Sequence, residues 1–336
     1  MRVVLTGLGS TGSHIARQLT QSPVRELVLC DPEPRRLDQI LGAVRAVAPA
    51  HQTVTGVKDL TPAILGAGVL VLAGPAGTHR EAAAGALHAG SHVVSISDDA
   101  NEVAELLALG SLARSADRAL VVGAGFCPGL SCLLVSHAAT RLDRVDVINV
   151  YRAGTGGPAC AREHHRTLKH PGQEWLEGTW ILRRGGSGRD LAWFPEPFGA
   201  RDCYRGALPS PLLLQPQFPD AHRITARMAA TRRDRFTSRL PMLRPPHTDG
   251  GPGAIRVELR GRVGQAVETV ILGVMDHPSV AAGTVAALAA LAALEGRAPV
   301  GAAGLAGWPT ARRLLADLRQ RGVRVAAFGG RLTDLG

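Results

Sequence analysis

An apolar run, Val3-Val4-Leu5-Thr6, leads directly into Gly7-x-Gly9-x-x-Gly12, and a second apolar stretch ends about one helix later at Asp31. The order strand, tight glycine turn, helix, strand and acid is that of a dinucleotide-binding βαβ unit, so it constrains the fold before any other residue is considered. Gly7 permits the turn, Gly9 lets backbone approach a pyrophosphate, and Gly12 allows the helix to pack closely on the strand. Ser10 and Thr11 open the helix, where free amides face phosphate oxygens. Ile15, Ala16 and Leu19 then supply an apolar helical face.

The strand–helix alternation continues. Strands are expected at residues 52–57, 69–73, 92–97 and 119–122, and helices after Asp31 and at 61–65, 78–88 and 102–116. Such alternation implies an α/β fold with a doubly wound parallel sheet of Rossmann type over residues 1–145. Right-handed crossovers gather the strand C-termini on one edge, so residues 74–79, 97–99 and 123–131 are expected to line a cofactor crevice. Gly74, Pro75, His79, Gly125 and Phe126 fall within those segments. Beyond residue 145 the pattern changes to strand-like alternation at 147–152, 224–231, 255–260 and 267–274. A largely antiparallel sheet in a second, α+β domain of residues 146–278 follows, with long loops at 154–158, 185–188, 195–205 and 241–253. Residues 279–336 read as a helical, alanine-rich segment that returns to the first domain.

Composition narrows the partners. A net charge of +10 comes almost wholly from arginine, with Lys58 and Lys169 the only lysines. The arginines are scattered, with no aromatic-interleaved basic stripe of the kind that binds nucleic acid. The longest apolar tract, residues 280–294, is shorter than the roughly twenty residues of a membrane span. With no apolar leader and five cysteines outside any C-x-x-C pair, the reading is a reduced, cytoplasmic setting with no metal site. The alanine-rich helix and the antiparallel sheet are expected to offer surfaces for a homodimer.

Several tracts together resemble the saccharopine dehydrogenase-like family. They are Thr6 to Gly12; Gly74-Pro75 followed by His79; the run from His88 through Ser97 to Asp98-Asp99; the turn Gly123-Ala-Gly-Phe-Cys-Pro-Gly-Leu-Ser131; and Gly156-Gly157-Pro158. They cover roughly the first 160 residues in order. The resemblance implies a Rossmann domain joined to an α/β substrate domain, with NAD(P)-linked chemistry at a carbon–nitrogen bond of an amino acid or polyamine. It also marks a departure, because this chain carries Cys127 where the G-F-x-P-G turn of those relatives commonly holds an acid.

Hydride chemistry at such a bond needs a group to handle one proton. Asp98, at a strand C-terminus, is the leading acid/base candidate; Asp99 either contacts substrate or caps the next helix. His164 and His165 follow the glycine-rich loop containing Gly157, and one of them is expected to face the site as a titrating group. Arg201, Tyr204 and Arg205 crowd one polar loop, where an arginine fork would clamp a substrate carboxylate or, equally, staple the loop. Cys127, near a helix start, would be a nucleophile if its thiol pKa were lowered.

The cofactor expected is NAD, because Asp31 should accept from a ribose 2′-OH; Arg35 and Arg36 could reach a 2′-phosphate, so NADP is the second choice. The leading function is thus an NAD(P)-dependent oxidoreductase acting on a small amino-acid-like substrate. A thiol-dependent aldehyde dehydrogenase using Cys127 and a catalytically idle NAD(P)-binding sensor or scaffold are the alternatives. Ser-Ile-Ser-Asp-Asp stands where sugar-type oxidoreductases usually show Glu-Lys-Pro, which argues against that class.

Overall fold

The structure, a computed structural model, describes residues 1–61, 65–66, 68–240, 242, 250–323 and 325–328. Most of the expected helix at 61–65 and of the loop at 241–253 lies outside the described residues.

Short Val/Leu-rich runs buried on both faces form the strands of the first sheet. The chain runs β1 (Arg2–Thr6), α1 (Ser10–Thr20), β2 (Glu26–Cys30), α2 (Pro34–Arg45), β3 (Thr53–Val57) and β4 (Val69–Leu72). It continues through α3 (His79–His88), β5 (His92–Ser95), α4 (Ala100–Leu107), α5 (Gly110–Ser115), β6 (Ala119–Val121) and α6 (Leu130–Ala139). The helix expected over 102–116 is thus two helices, with Leu109 capping the second.

The second part holds β7 (Arg144–Ala153), α7 (Pro158–Thr167), β8 (Gly172–Leu176), β9 (Thr179–Arg183), β10 (Asp190–Trp193), β11 (Ala200–Tyr204) and α8 (Ser210–Leu214). Next come β12 (Arg223–Ala229), α9 (Arg232–Thr237), β13 (Gly253–Val263), β14 (Ala266–Asp276) and α10 (Pro278–Leu294). The chain closes with β15 (Gly301–Ala303), α11 (Ala311–Gln320) and β16 (Val325–Phe328).

The first sheet is parallel, in the order β15-β6-β5-β4-β1-β2-β3. Its topological switch point therefore lies between β1 and β4, where ligands of open α/β sheets bind. The second sheet runs β10-β11-β12-β7-β13-β14-β16, with β8 bridging β12 and β9. Its pairs are antiparallel except β12 with β7. Residues 195–205, read as a loop, include β11, and a two-residue turn joins the long strands β13 and β14.

Residues 279–336, read as helical, also contribute a strand to each sheet. Strands of three or four residues carry too little period-two signal to be seen, and pairing with a distant partner creates them. α10 is buried along nearly its whole length, so it is interior packing and offers no surface for a second copy. A Cβ on its Gly283 would lie 2.6 Å from His14 Cβ, so the glycine lets α10 approach α1 closely.

Candidate functional site

The glycine turn after β1 has the geometry its sequence implies. Gly7 has φ +84°, and a Cβ there would sit 2.5 Å from the Ala73–Gly74 backbone, while one on Gly12 would collide with the Gly7 carbonyl. Above Gly9, by contrast, nothing lies within 4 Å. α1 starts at Ser10 without a side-chain cap, so its first amides are free to meet an anion. An open glycine beneath an uncapped helix start fits a dinucleotide pyrophosphate, which Gly9, Ser10, Thr11 and Gly12 would hold.

Asp31 directly follows β2 and is 1% exposed. Its carboxylate accepts from Leu8 N–H at 2.7 Å and Glu33 N–H at 2.9 Å, and Arg36 donates to both oxygens at 3.3 Å. The acid at the expected ribose position is therefore also a brace between the β1–α1 and β2–α2 loops. Arg35 lies exposed in the first turn of α2.

Beside this turn opens a cleft. Thr11 lines it from α1, Ile96 and Asp98 from the segment after β5, and Gly125, Phe126, Cys127 and Pro128 from the turn before α6. Arg152 from β7, Cys160 from α7, and Pro278 and Ala282 from α10 complete the walls, with Gly154 and Gly156 between them. The three segments expected at the crevice edge do not all reach the cleft in the same way. Asp98 and residues 125–128 line it, whereas His79 is buried behind it at 1% exposure.

Arg152, passed over in the sequence, is the central charge. Its Nη1 donates to Asp98 Oδ2 at 3.1 Å and to the Cys127 carbonyl at 2.9 Å, and Nη2 lies 3.8 Å from Cys160 Sγ. The arginine side chain is 6% exposed and that of Asp98 is 28% exposed, so the buried cation holds a carboxylate that still faces the cleft. A signal for this was available. Ile148, Val150 and Arg152 share one face of β7 by the two-residue period, and the first two are core residues. An arginine in phase with a core face must be paired.

The other candidates are placed as follows. Asp99 caps α4 by accepting from Glu102 N–H at 2.8 Å. Gly157, with φ +138°, is the N-cap of α7. His164, on α7, donates from Nε2 to the Ala229 carbonyl at 3.2 Å, and burial, then nearby Arg152, push its pKa down to about 3. It is therefore neutral at ordinary pH, which corrects the expectation of a group titrating near neutrality. His165 donates from Nε2 to the Leu240 carbonyl at 3.0 Å.

Arg201, Tyr204 and Arg205 do not line the cleft. Arg205 binds Glu174 Oε1 at 2.6 Å, Arg201 stacks on Phe198 at 4.9 Å, and Tyr204 is 2% exposed beneath the Arg235 guanidinium. Their loop is strand β11, stapled by ion pairs to its neighbours. Cys127 does line the cleft, but burial pushes its thiol pKa up despite the attraction of Arg152. Desolvation of a thiolate outweighs the benefit of a nearby helix start here, so the lowered pKa expected of a nucleophile is not found. Burial also raises Cys160, and it raises the Glu163 carboxyl, with nearby Asp98 adding to the effect.

No protein-family model and no curated protein sequence matches the chain. Among solved structures, apo histidine-tagged saccharopine dehydrogenase (L-Glu forming) from Saccharomyces cerevisiae is similar, with a TM-score of 0.73 at 12% identity, covering 98% of this chain and 100% of that one. An engineered D-amino acid dehydrogenase bound to NADP+ gives 0.50 at 14% identity, covering 96% and 99%. The fold is thus one shared with two-domain dehydrogenases, and it agrees with the resemblance carried by the sequence motifs. No helix among the described residues is long and apolar enough to cross a membrane.

Proposed function

We propose that the chain is an NAD(P)-dependent oxidoreductase acting at a carbon–nitrogen bond of a small amino-acid-like substrate: an amino acid, an imine or a secondary amine. NAD is the expected cofactor and NADP the second. The observation that carries the reading is the Asp98–Arg152 pair, set in one cleft with Thr11 of the uncapped helix start. When bound, the dinucleotide supplies the hydride chemistry. The chain's own part is to orient the substrate nitrogen and to handle its proton.

Asp98 accepts that proton as the carbon–nitrogen bond is oxidised and returns it in the reverse direction. Arg152 keeps the Asp98 side chain in place, and Phe126, Pro128 and Ala282 supply apolar walls that limit water. A division into a cofactor unit of residues 1–145, a substrate unit of 146–278 and a returning segment of 279–336 goes with this reading, as does a homodimer. The thiol-dependent alternative is not favoured, because the Cys127 thiol is held protonated by burial.

The test is NADH and NADPH oxidation with panels of 2-oxo acids and semialdehydes, each combined with amines. Turnover that falls about 10²- to 10⁴-fold in Asp98→Asn, with cofactor affinity kept, is the expected result. Silence of the wild type across the panels, or full activity in Asp98→Asn, would defeat the proposal.

A further inference from the structure

A closed ring of polar contacts, buried at His79, Ser95, Ser97 and Glu102, lies beside the cleft, and the chemistry above does not use it. Its centre is Glu102, on α4 and 3% exposed. Glu102 Oε1 accepts from Gly77 N–H and His79 N–H, each at 2.8 Å. Those amides belong to the start of α3, whose own N-cap, Thr78, makes no side-chain cap bond. A carboxylate from another helix therefore caps α3, where the helix dipole favours negative charge.

The ring then passes through His79. Its Nε2 lies 3.1 Å from the Gly74 carbonyl, so this nitrogen carries the proton, and Nδ1 accepts from Ser95 Oγ at 2.8 Å. Burial lowers the pKa of His79, in keeping with a neutral ring. Ser95 Oγ in turn accepts from Ser97 N–H at 3.2 Å, Ser97 Oγ from Asp99 N–H at 3.4 Å, and Asp99 from Glu102 N–H at 2.8 Å. Glu102 is thus tied at its carboxylate to the loop after β4 and at its backbone to the loop after β5.

Both loops matter to the cleft. The Ala73–Gly74 backbone supports Gly7 of the phosphate turn, where no room is left for a Cβ. Asp98 is held between Ser97 and Asp99, the two ring members that flank it in the chain. Glu102 Oε2 has no hydrogen-bond partner among the described residues and lies 3.9 Å from His79 Nδ1. A buried carboxylate with one oxygen unpaired is costly.

We infer that Glu102 is a positioning residue of the cofactor cleft: it locks the loop carrying Gly74 to the loop carrying Asp98, and so fixes the phosphate turn and the acid/base group relative to each other. The inference rests on dinucleotide binding in this cleft.

The test measures dissociation constants of NADH and NADPH by nicotinamide fluorescence and calorimetry, on the full chain. Glu102→Ala should weaken binding by about tenfold to a hundredfold, because small misplacements of a preorganised site carry costs of that order. Glu102→Gln keeps an acceptor for both amides and should stay within about threefold of the wild type. Leu106→Ala, on the same helix and fully buried, should lower thermal stability while leaving affinity within about threefold. Ser95→Ala, which opens the ring without touching α4, should also weaken binding and serves if Glu102→Ala does not fold. Wild-type affinity in Glu102→Ala or Ser95→Ala, or equal weakening in Leu106→Ala, would overturn the inference alone. A wild type that binds neither dinucleotide would overturn the function proposed above and this inference with it.

Discussion

The pairs Arg36–Asp31 and Arg152–Asp98 each hold an acid that follows a strand of the first sheet, and they are built in opposite senses. In the pair after β2, the Asp31 side chain is 2% exposed and that of Arg36 is 49% exposed. In the cleft, the Arg152 side chain is 6% exposed and that of Asp98 is 28% exposed. The first pair buries its acid and shows solvent a cation; the second buries its cation and shows the cleft an acid. A carboxylate that already accepts from two backbone N–H groups is a brace, whereas one held from behind by a guanidinium is available to a substrate. Sequence position alone would give both acids a ligand-facing role.

Breaking each pair on its arginine side should separate them most widely. Arg152→Leu leaves Asp98 without its partner and the Cys127 carbonyl without its donor, and should cost about 1–3 kcal/mol, read from denaturant unfolding. Arg36→Ala should cost under about 1 kcal/mol, because its guanidinium is half in solvent and Asp31 keeps both amide bonds. Similar losses from the two substitutions would erase the distinction.

Cofactor choice gives a smaller effect. Arg36→Ala should weaken NADPH by about threefold to tenfold and NADH by less than about twofold, if its exposed charge meets a 2′-phosphate. An equal change for both dinucleotides would show that Arg36 only covers Asp31.

A further effect concerns acid. His164 is neutral when folded down to a pKa of about 3, while its unfolded value is near about 6.5. Between those values the unfolded chain binds the extra proton, so the His164 contribution is fully present above about pH 6.5 and is lost as pH falls. His164→Gln should therefore lose less thermal stability than the wild type between about pH 7.5 and pH 5. An unchanged pH slope would mean that the ring escapes burial before it titrates.

The first sheet was legible, β15 apart, because most of its strands are short apolar runs and because the fingerprint names its own topology. The second sheet was only half legible. β8 and β9 turn through Glu177 and Gly178, both with positive φ, which is the signature of a tight hairpin turn in a stretch not read as strand. β10 and β11 become strands by pairing with distant or adjoining segments, β10 with β11 across a turn closed by the Phe194 N–H to Gly199 carbonyl hydrogen bond, and β11 also with β12. In the site, Asp98 and Cys127 were read as cleft residues and line it, while Arg152 went unnoticed within an apolar strand although its phase marked it as buried. The polar cluster of Arg201, Tyr204 and Arg205 left clamp and staple equally open, because charge density in a sequence says nothing about which partners neutralise it.

By itself the sequence determined the short-range geometry: the glycine turn, the uncapped start of α1, and the side-chain phases along each strand. These follow from steric limits and hydrogen bonding within a few residues. Only the tertiary structure decided the charge of the cleft. Asp98 and Arg152 are separated by 54 positions in sequence, and which of them is buried depends on helices and turns that pack over them from elsewhere in the chain. Desolvation is set by everything nearby in space, and it turned Asp31 into a brace, Cys127 into a protonated thiol and Asp98 into the acid that faces the cleft.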